Sequence, residues 1–264
     1  MHPALKKISR PLIAATGNAL AAVFDNHARL PGEGVFELTP DMTGRRYLGF
    51  MRGNYEKPER EILQRYFRPA SQIVEIGANI GVVSNAAATN CLTAQGRIIC
   101  VEPNAHVIPV LKRNLERTQD QPGNELKQII VLEAALAAPS HPEYGEFLAR
   151  PNLSSGLTTH VSPQAYDTAP LRVPLISLGE LLFEHGMGQE RFSLICDAEG
   201  AEISMILGER DVLRRCDQLA IELHQPDLTG SDFTPADMLE ELADQGFTLG
   251  GQIAGTYYLS RQPV

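Results

Sequence analysis

The chain has 264 residues, of which 43% are hydrophobic and 21% are charged, and this balance excludes a largely disordered protein. Its formal net charge of -9 disfavours nucleic acid and anionic membrane surfaces as main partners, because both carry dense negative charge. The length suits one large α/β domain, or one domain with an added segment.

Residues 1–54 are expected to form an N-terminal accessory segment ahead of a main domain at residues 55–264. A helix is predicted at residues 5–24. Its basic start and apolar run resemble a secretory signal, but Gly17 and Asn18 interrupt the run, which favours an amphipathic helix. No stretch reaches the roughly 20 continuous apolar residues of a membrane span. A turn and two strands are then predicted, at residues 31–34, 35–38 and 46–51.

The main domain alternates predicted helices and strands. Continuous apolar runs predict strands at residues 73–76, 97–101, 129–132, 192–196 and 219–223. Helices are predicted at residues 58–67, 81–94, 105–118, 178–183, 203–213 and 235–245. Runs without polar alternation indicate strands that are covered on both faces, as in a parallel sheet. Two last pieces, at residues 247–249 and 256–259, are expected to close the sheet as an antiparallel pair. The predicted fold is a Rossmann-like, doubly wound α/β sheet of seven strands, mostly parallel, with an antiparallel last strand.

A less regular stretch lies in the middle of this domain. It is predicted to hold two strands, at residues 144–149 and 171–176, and a polar loop at residues 151–156 that could cover a site. The chain's cysteines are Cys91, Cys100, Cys196 and Cys216. No pair has the C-x-x-C spacing of a zinc ribbon, so we expect reduced thiols in a cytoplasmic protein.

Glycines and polar residues follow the predicted strands at their carboxyl ends, where open α/β sheets bind ligands. They are Gly77, Ala78, Asn79 and Gly81, then Glu102, then Glu133 and Ala134, then Asp197, Glu199 and Glu202, and last Glu222 and His224. Solvent-exposed loops account for some polar residues at strand ends, but not for so many carboxylates along one edge. The pattern therefore indicates a ligand site at this edge.

The first glycine turn does not fit the motifs that bind phosphate. The G-x-G-x-x-G fingerprint would need glycine where Asn79 and Val82 stand, and no Gly-Lys-Ser/Thr follows for a Walker loop. A turn with few glycines suits a nucleoside ligand without pyrophosphate. S-adenosylmethionine is such a ligand, and its sulfonium cation is favoured by a carboxylate-rich edge.

Three stretches resemble the FkbM-type family of class I S-adenosylmethionine-dependent methyltransferases in order and spacing. They are E-I-G-A-N-I-G at residues 75–81, V-E-P-N at residues 101–104 with Leu111 and Asn114 after it, and D-A-E-G-A-E at residues 197–202. The resemblance covers residues 55–224. Glu75 stands where the family usually has aspartate, and Ile195 and Cys196 replace a lysine that often precedes the motif aspartate.

The resemblance implies how the donor is held. The residues implied to line its methionine and ribose part are Gly77, Ala78, Asn79 and Gly81. Glu75 would reach the amino group, directly or through water, and Glu102 would accept hydrogen bonds from the ribose hydroxyls. Glu133 and Ala134 would border the adenine.

Methyl transfer to an alcohol needs an in-line arrangement and a base for the proton that is lost. Asp197 and His224 are the candidate catalytic residues, since both follow strands beside the donor site and histidine titrates near neutral pH. Glu199 and Glu202 have an alternative role in charging the next helix N-terminus. We expect no metal, although Asp197, Glu199, Glu222 and His224 together could hold a divalent cation.

The expected function is O-methylation of a hydroxyl on a small molecule, such as a sugar or a secondary metabolite. The expected partner is therefore this acceptor, with no nucleic acid and no membrane. Two alternatives stay open: a nicotinamide-dependent oxidoreductase, against which the failed fingerprint counts, and a non-catalytic nucleoside-binding protein. The acceptor and the oligomeric state do not follow from the sequence.

Overall fold

The structure is a computed structural model that describes residues 3–148, 156–157, 170–225 and 232–261. Most of the predicted polar loop, residues 151–155, lies outside these ranges. The described helices are α1 (Pro3–Val23), α2 (Gly44–Met51), α3 (Lys57–Tyr66), α4 (Val82–Asn90), α5 (Ile108–Gln119), α6 (Leu178–Glu184), α7 (Glu202–Gly208), α8 (Arg210–Leu213) and α9 (Pro235–Asp244). The described strands are β1 (His27–Leu30), β2 (Gly34–Glu37), β3 (Ala70–Ile76), β4 (Leu92–Val101), β5 (Gln128–Leu132), β6 (Ala135–Leu136), β7 (Tyr144–Leu148), β8 (Gly156–Leu157), β9 (Leu171–Ile176), β10 (Phe192–Cys196), β11 (Cys216–Glu222), β12 (Thr248–Ile253) and β13 (Thr256–Ser260).

The central sheet has seven strands in the order β12-β13-β11-β10-β3-β4-β5. Strands β3, β4, β5, β10 and β11 pair in parallel, whereas β13 runs antiparallel to both β11 and β12. The chain builds outward from β3 to β5 and then returns to place β10 on the other side of β3. The strand order therefore reverses between β3 and β10. This topology confirms the predicted Rossmann-like sheet with its antiparallel closing strand.

Helices cover both faces of the sheet, as the unbroken apolar runs predicted. Neighbouring residues of a strand enter different cores: Ile73 packs with Ile98 in one cluster, and Val74 packs with Ile99 in the other. All four side chains are fully buried. Burying an aliphatic side chain of this size stabilises the fold by about 1.5–3 kcal/mol.

Three predicted elements differ from the structure. Residues 46–51 belong to helix α2 rather than a strand, because the buried residues Tyr47 and Phe50 are spaced by one helical turn. Helix α4 ends at Asn90 instead of residue 94, and β4 begins at Leu92. The helix predicted at residues 203–213 is divided between α7 and α8. Glu209 lies at the break, and its carboxylate accepts hydrogen bonds from the backbone N–H groups of Leu178 and Gly179.

The N-terminal segment packs on the glycine turn that follows β3. Its core, which includes Phe36 and Phe50, also contains Ile80, Val82 and Val110 from the main domain. The division of the chain at residue 54 stays a prediction. No described helix is long and apolar enough to cross a membrane. The four cysteines are free and buried, which agrees with the expected reduced thiols.

Asn114 links this segment to the glycine turn. Its amide Nδ2 donates to the carbonyl of Ile80 at 2.8 Å and to the carbonyl of Glu37 at 2.9 Å. Its Oδ1 accepts from the backbone N–H of Glu37 at 2.8 Å. One buried side chain thus fixes β2 against the turn that leads into α4.

Candidate functional site

The candidate site lies where the strand order reverses, at the carboxyl ends of β3 and β10, which is the usual ligand position in such sheets. The backbone N–H of Asp197 donates to the carbonyl of Ile76 at 2.9 Å, so the two strand ends remain joined. Gly77 has a φ of +88°, and a Cβ there would lie 2.0 Å from the carbonyl oxygen of Asp197. Only glycine fits this close approach.

The turn continues through Asn79, which has a φ of +47°. Its backbone N–H donates to Oε2 of Glu102 at 2.8 Å, and its Nδ2 donates to the hydroxyl of Tyr55 at 2.8 Å. Gly81 follows with a φ of +86°, and a Cβ there would lie 2.9 Å from Cδ1 of Leu111. Gly81 therefore also allows α5 to pack closely against the turn.

Glu102 directly follows β4 and is only 6% exposed. Its Oε2 accepts from Asn79 and its Oε1 accepts from the backbone N–H of Asn104, both at 2.8 Å. Burial raises the pKa of Glu102 to about 7, although these two hydrogen bonds oppose the rise. Each carboxylate oxygen has two lone pairs, so each keeps one acceptor position for a ligand.

Glu75 lies inside the protein rather than at the edge. It is 1% exposed, and its Oε2 accepts from the hydroxyl of Ser84 in the first turn of α4. Burial raises its pKa to about 7, while hydrogen bonds from Ser84 and Cys100 lower it. The structure thus places Glu75 where it holds α4 against β3, and its expected role toward the donor amino group stays a prediction.

Glu133 and Ala134 follow β5 beside the end of β4, where the backbone N–H of Glu102 donates to the carbonyl of Leu132 at 3.0 Å. Glu133 is exposed, and Ala134 is buried in the core under the sheet. Both lie at the edge that their strand position predicted.

His224 is held by carboxylates on both ring nitrogens. The fully buried Glu202 places Oε1 at 2.9 Å from Nδ1 and also accepts from the backbone N–H of His224 at 3.2 Å. Nε2 lies 3.3 Å from Oε2 of Glu199 and 3.6 Å from Oδ1 of Asp197. Burial lowers the pKa of His224, but Glu202, Asp197 and Glu199 together raise it to about 10.

The ring of His224 is therefore a cation at neutral pH, in contrast to the near-neutral titration expected from the sequence. Oδ1 of Asp197 is buried and has no hydrogen-bond partner among the described residues. Burial, followed by the negative charges of Glu222 and Glu199, raises the pKa of Asp197 well above its usual range. The positive charge of His224 opposes that rise.

The sequence did not indicate three residues that border this cluster, which are Tyr55, Glu56 and Glu59. Glu56 has a φ of +44°, and its Oε2 is buried without a hydrogen-bond partner among the described residues. Burial, together with the charges of Glu59, Glu75 and Asp197, raises its pKa well above the usual range. Glu56 and Glu59 resemble ordinary acids at a helix start, so the local sequence gives no signal for this role.

Asp197, Glu199 and His224 also form a possible metal-binding set. One ligand atom of each lies within 4.8 Å of the others. Glu202 holds Nδ1 and leaves Nε2 toward the two carboxylates, as a supporting carboxylate does in many histidine metal sites. A divalent cation would bind these residues once Nε2 of His224 has lost its proton, so the metal alternative stays open.

The described residues also fit the expected donor. Asp197 and Glu56 each have a buried oxygen to which no described residue donates a hydrogen bond, and these oxygens suit a neighbouring cation. The remaining acceptor positions of Glu102 suit a diol. The reversal of strand order, the glycine turn and the buried acid of the next strand are the features with which Rossmann-like sheets bind a nucleoside.

A family model, the methyltransferase FkbM domain, matches residues 75–249. The chain belongs to this family. The match confirms the resemblance seen in the motifs and identifies these residues as a methyltransferase domain. No curated protein matches the chain.

Several solved structures are similar. The methyltransferase FkbM from Methylobacillus flagellatus KT has 14% identity and a TM-score of 0.49, with 77% of this chain and 48% of that chain covered. The chain thus spans about half the length of that protein. Precorrin-6y C5,15-methyltransferase from Geobacter metallireducens GS-15 has 14% identity and a TM-score of 0.38, with 76% and 84% covered. TrmK of M. capricolum, solved with S-adenosylhomocysteine, has 8% identity and a TM-score of 0.40, with 76% and 65% covered.

Proposed function

We propose that this protein transfers a methyl group from S-adenosylmethionine to a hydroxyl oxygen of a small molecule. The observation that carries the proposal is the close approach of Gly77 and Asp197 at the point where the strand order reverses. The glycine turn, which would hold the donor, thus lies beside Asp197, whose Oδ1 has no hydrogen-bond partner within the part of the chain that the structure describes.

The donor would be held along the ends of β3, β4 and β5. The residues assigned to its methionine and ribose part are Gly77, Ala78, Asn79 and Gly81. Glu102 would bind the ribose hydroxyls through the acceptor position that each oxygen retains. Glu133 and Ala134 would border the adenine. Glu75 would support this surface from within, through Ser84.

The cofactor supplies a methyl carbon that is activated by its bond to a sulfonium sulfur. Asp197 would accept the proton of the acceptor hydroxyl, and its raised pKa makes it a stronger base than an exposed aspartate. The positive charge of His224 would favour the ionised form of Asp197, which is the form that can accept this proton. Glu202 would orient the ring through Nδ1. These groups would place the acceptor oxygen in line with the methyl carbon.

A small acceptor is favoured over nucleic acid by charge. The chain carries a net charge of -9, and carboxylates of Glu56, Glu59, Asp197, Glu199 and Glu222 surround the proposed acceptor side. A phosphate backbone would be repelled there. A neutral or cationic hydroxyl compound would not.

A two-stage experiment tests the proposal. Thermal melts with S-adenosylmethionine, S-adenosylhomocysteine and NAD come first, because a ligand at 100 times its dissociation constant stabilises a protein by about 2.7 kcal/mol. We expect both adenosyl compounds to raise the melting temperature and NAD to have no effect. A response to NAD alone would favour the oxidoreductase alternative.

Mass spectrometry of a panel of sugars, phenols and secondary metabolites follows, with the Asp197→Asn variant as the blank. We expect one hydroxyl compound to gain a methyl group only with the parent protein. Donor binding without turnover on any class of acceptor, including amines and RNA, would favour the non-catalytic alternative. Turnover on RNA or on an amine alone would contradict the assigned acceptor.

A further inference from the structure

A second cavity, of about 830 Å³, lies at the amino ends of the central strands, opposite the proposed donor site at their carboxyl ends. It is formed where β3, β10 and β11 begin, and its lining includes Ala70, Phe192 and Gln218. Strand β10 runs from this cavity to the proposed donor site. Its five residues span about 17 Å at 3.3 Å per residue. The volume lies within the range of small-molecule pockets, about 300–1,000 Å³.

Positive charge is concentrated in this cavity, although the whole chain is acidic. Four arginines and one acid line it: Arg68, Arg191, Arg214, Arg261 and Asp217. Asp217 neutralises one of them, since its Oδ1 accepts from Nε of Arg191 at 2.6 Å. Within the described ranges, Arg214 pairs only with Asp211, at 3.0 Å. Their side chains are 74% and 89% exposed, so water screens this pair.

Arg68 has no ion-pair partner among the residues that the structure describes, and its side chain is exposed at the cavity. Its backbone is nevertheless fixed. The N–H of Arg68 donates to Oε1 of the buried Gln218 at 2.9 Å, and its carbonyl accepts from Nε2 of the same residue at 2.7 Å. Nε2 of Gln218 also donates to Oγ of Ser193 at 3.0 Å. The floor of the cavity is therefore formed in advance of any ligand.

Arg261 supplies an unused donor. Its terminal nitrogens donate to the carbonyls of Gln245 and Leu213, and its guanidinium lies 4.2 Å from the ring centre of Phe247. Its Nε–H is buried and has no hydrogen-bond partner among the described residues. Burial, and after it the charges of Arg191 and Arg214, lower the pKa of Arg261. A buried donor without a partner is rare, so the guanidinium of Arg261 keeps positive charge beneath the cavity that its own hydrogen bonds do not fully satisfy.

We propose that this cavity binds a small phosphorylated metabolite, separately from the donor. A guanidinium offers a planar pair of N–H donors that matches two phosphate oxygens, and this match explains the choice of anion. Arg68 and Arg214 would contact the phosphate from the open side, and the positive charge of Arg261 would attract it from below. The apolar surface of Pro69, which is exposed at the cavity, would accept the organic part of the ligand.

Calorimetric titration of the full chain with inorganic pyrophosphate tests the assignment. It is run with and without saturating S-adenosylhomocysteine, so the result does not depend on the donor site. We expect one saturable site under both conditions. The variant Arg68→Gln/Arg214→Gln should weaken binding about tenfold for each arginine removed, because a charged hydrogen bond contributes at least that much. Both side chains are exposed, so the variant should remain folded, and its melting temperature checks this.

Arg65→Gln is the matched control. Arg65 is an exposed arginine on α3 that pairs with Glu61 at 3.0 Å and lies outside the cavity lining. We expect this variant to bind pyrophosphate like the parent. Absence of saturable binding, equal weakening in the control, or competition by S-adenosylhomocysteine would overturn the proposal. Tighter binding of a short single-stranded RNA than of pyrophosphate would also overturn it, since the site would then belong to a polymer.

Discussion

Replacement of Glu102 by glutamine should weaken donor binding without unfolding the protein. The substitution keeps the shape of the side chain and removes its charge. In the parent, the two carboxylate oxygens accept backbone hydrogen bonds from Asn79 and Asn104 at 2.8 Å. Glutamine offers only one acceptor oxygen, so its NH₂ group must face one of these two backbone N–H groups, which then has no acceptor. The turn that carries Asn79 then loses a partner, and the ribose loses an acceptor.

The expected size of the effect follows from the charge on this acceptor. A hydrogen bond to a charged group contributes about 1.5–3 kcal/mol, and each 1.36 kcal/mol is a factor of ten. Glu102→Gln should therefore raise the dissociation constant of S-adenosylhomocysteine by about 10- to 150-fold. Isothermal titration calorimetry measures this change, and circular dichroism checks that the variant is folded.

The pH dependence of binding gives an independent check. Burial raises the pKa of Glu102 to about 7, and the ionised form is the one that can accept from the ribose and from both backbone donors. Donor binding should thus favour loss of the proton, so affinity in the parent should rise as the pH increases through 7. Glu102→Gln should remove that part of the dependence.

Glu116→Gln is the matched control, because Glu116 is an exposed acid on the neighbouring helix α5. It should bind the donor product like the parent at every pH. The reasoning would be refuted if Glu102→Gln bound S-adenosylhomocysteine within threefold of the parent, or if the control lost as much affinity.

Three further predictions concern the turn, the base and its partner. Gly77→Ala should abolish donor binding and destabilise the fold far more than Gly123→Ala. The backbone φ is nearly the same at the two positions, +88° and +89°, but a Cβ at residue 77 would lie 2.0 Å from the carbonyl oxygen of Asp197, whereas a Cβ at residue 123 would meet no atom within 4 Å. Gly123→Ala should cost about 1–2 kcal/mol in chemical denaturation, and similar losses in both variants would contradict the close approach to Asp197. Asp197→Asn should lower kcat by about 10²- to 10⁴-fold and leave the dissociation constant of S-adenosylhomocysteine within threefold, whereas equal losses would reassign Asp197 to donor binding. Since folding raises the pKa of His224 from 6.5 to about 10, the stabilisation is complete below pH 6.5 and is lost as the pH rises through 10. The melting temperature should fall less steeply between pH 7 and pH 10 in His224→Gln than in the parent, and identical slopes would exclude the ion cluster as the cause.

Much of the sheet was predictable because its signals are local. The five parallel strands are short apolar runs that end in glycine or acid, and each recurs in the structure with small changes at its ends. Residues 46–51 were misassigned because a short amphipathic helix and a short strand can share the same apolar residues. Tyr47 and Phe50 distinguish the two only through their burial.

The position of the site could be predicted from the sequence, but the charge states of its residues could not. The end of each strand located Gly77, Glu102 and Asp197 at one edge, as the topology requires. Sequence spacing gives no measure of how Glu202 would hold His224, so the cationic state of the ring was missed. Tyr55 and Glu56 reach the site through tertiary packing from outside the sheet. The arginines of the second cavity lie between residues 68 and 261, and only the fold brings them together.

A crystal structure of the protein with S-adenosylhomocysteine is the most direct test of the account. We predict that the ligand lies at the carboxyl ends of β3 and β4, with its ribose hydroxyls within hydrogen-bond distance of the Glu102 carboxylate and its sulfur on the side of Asp197. A ligand bound elsewhere, or a ribose that makes no contact with Glu102, would contradict the assignment of this edge as the donor site.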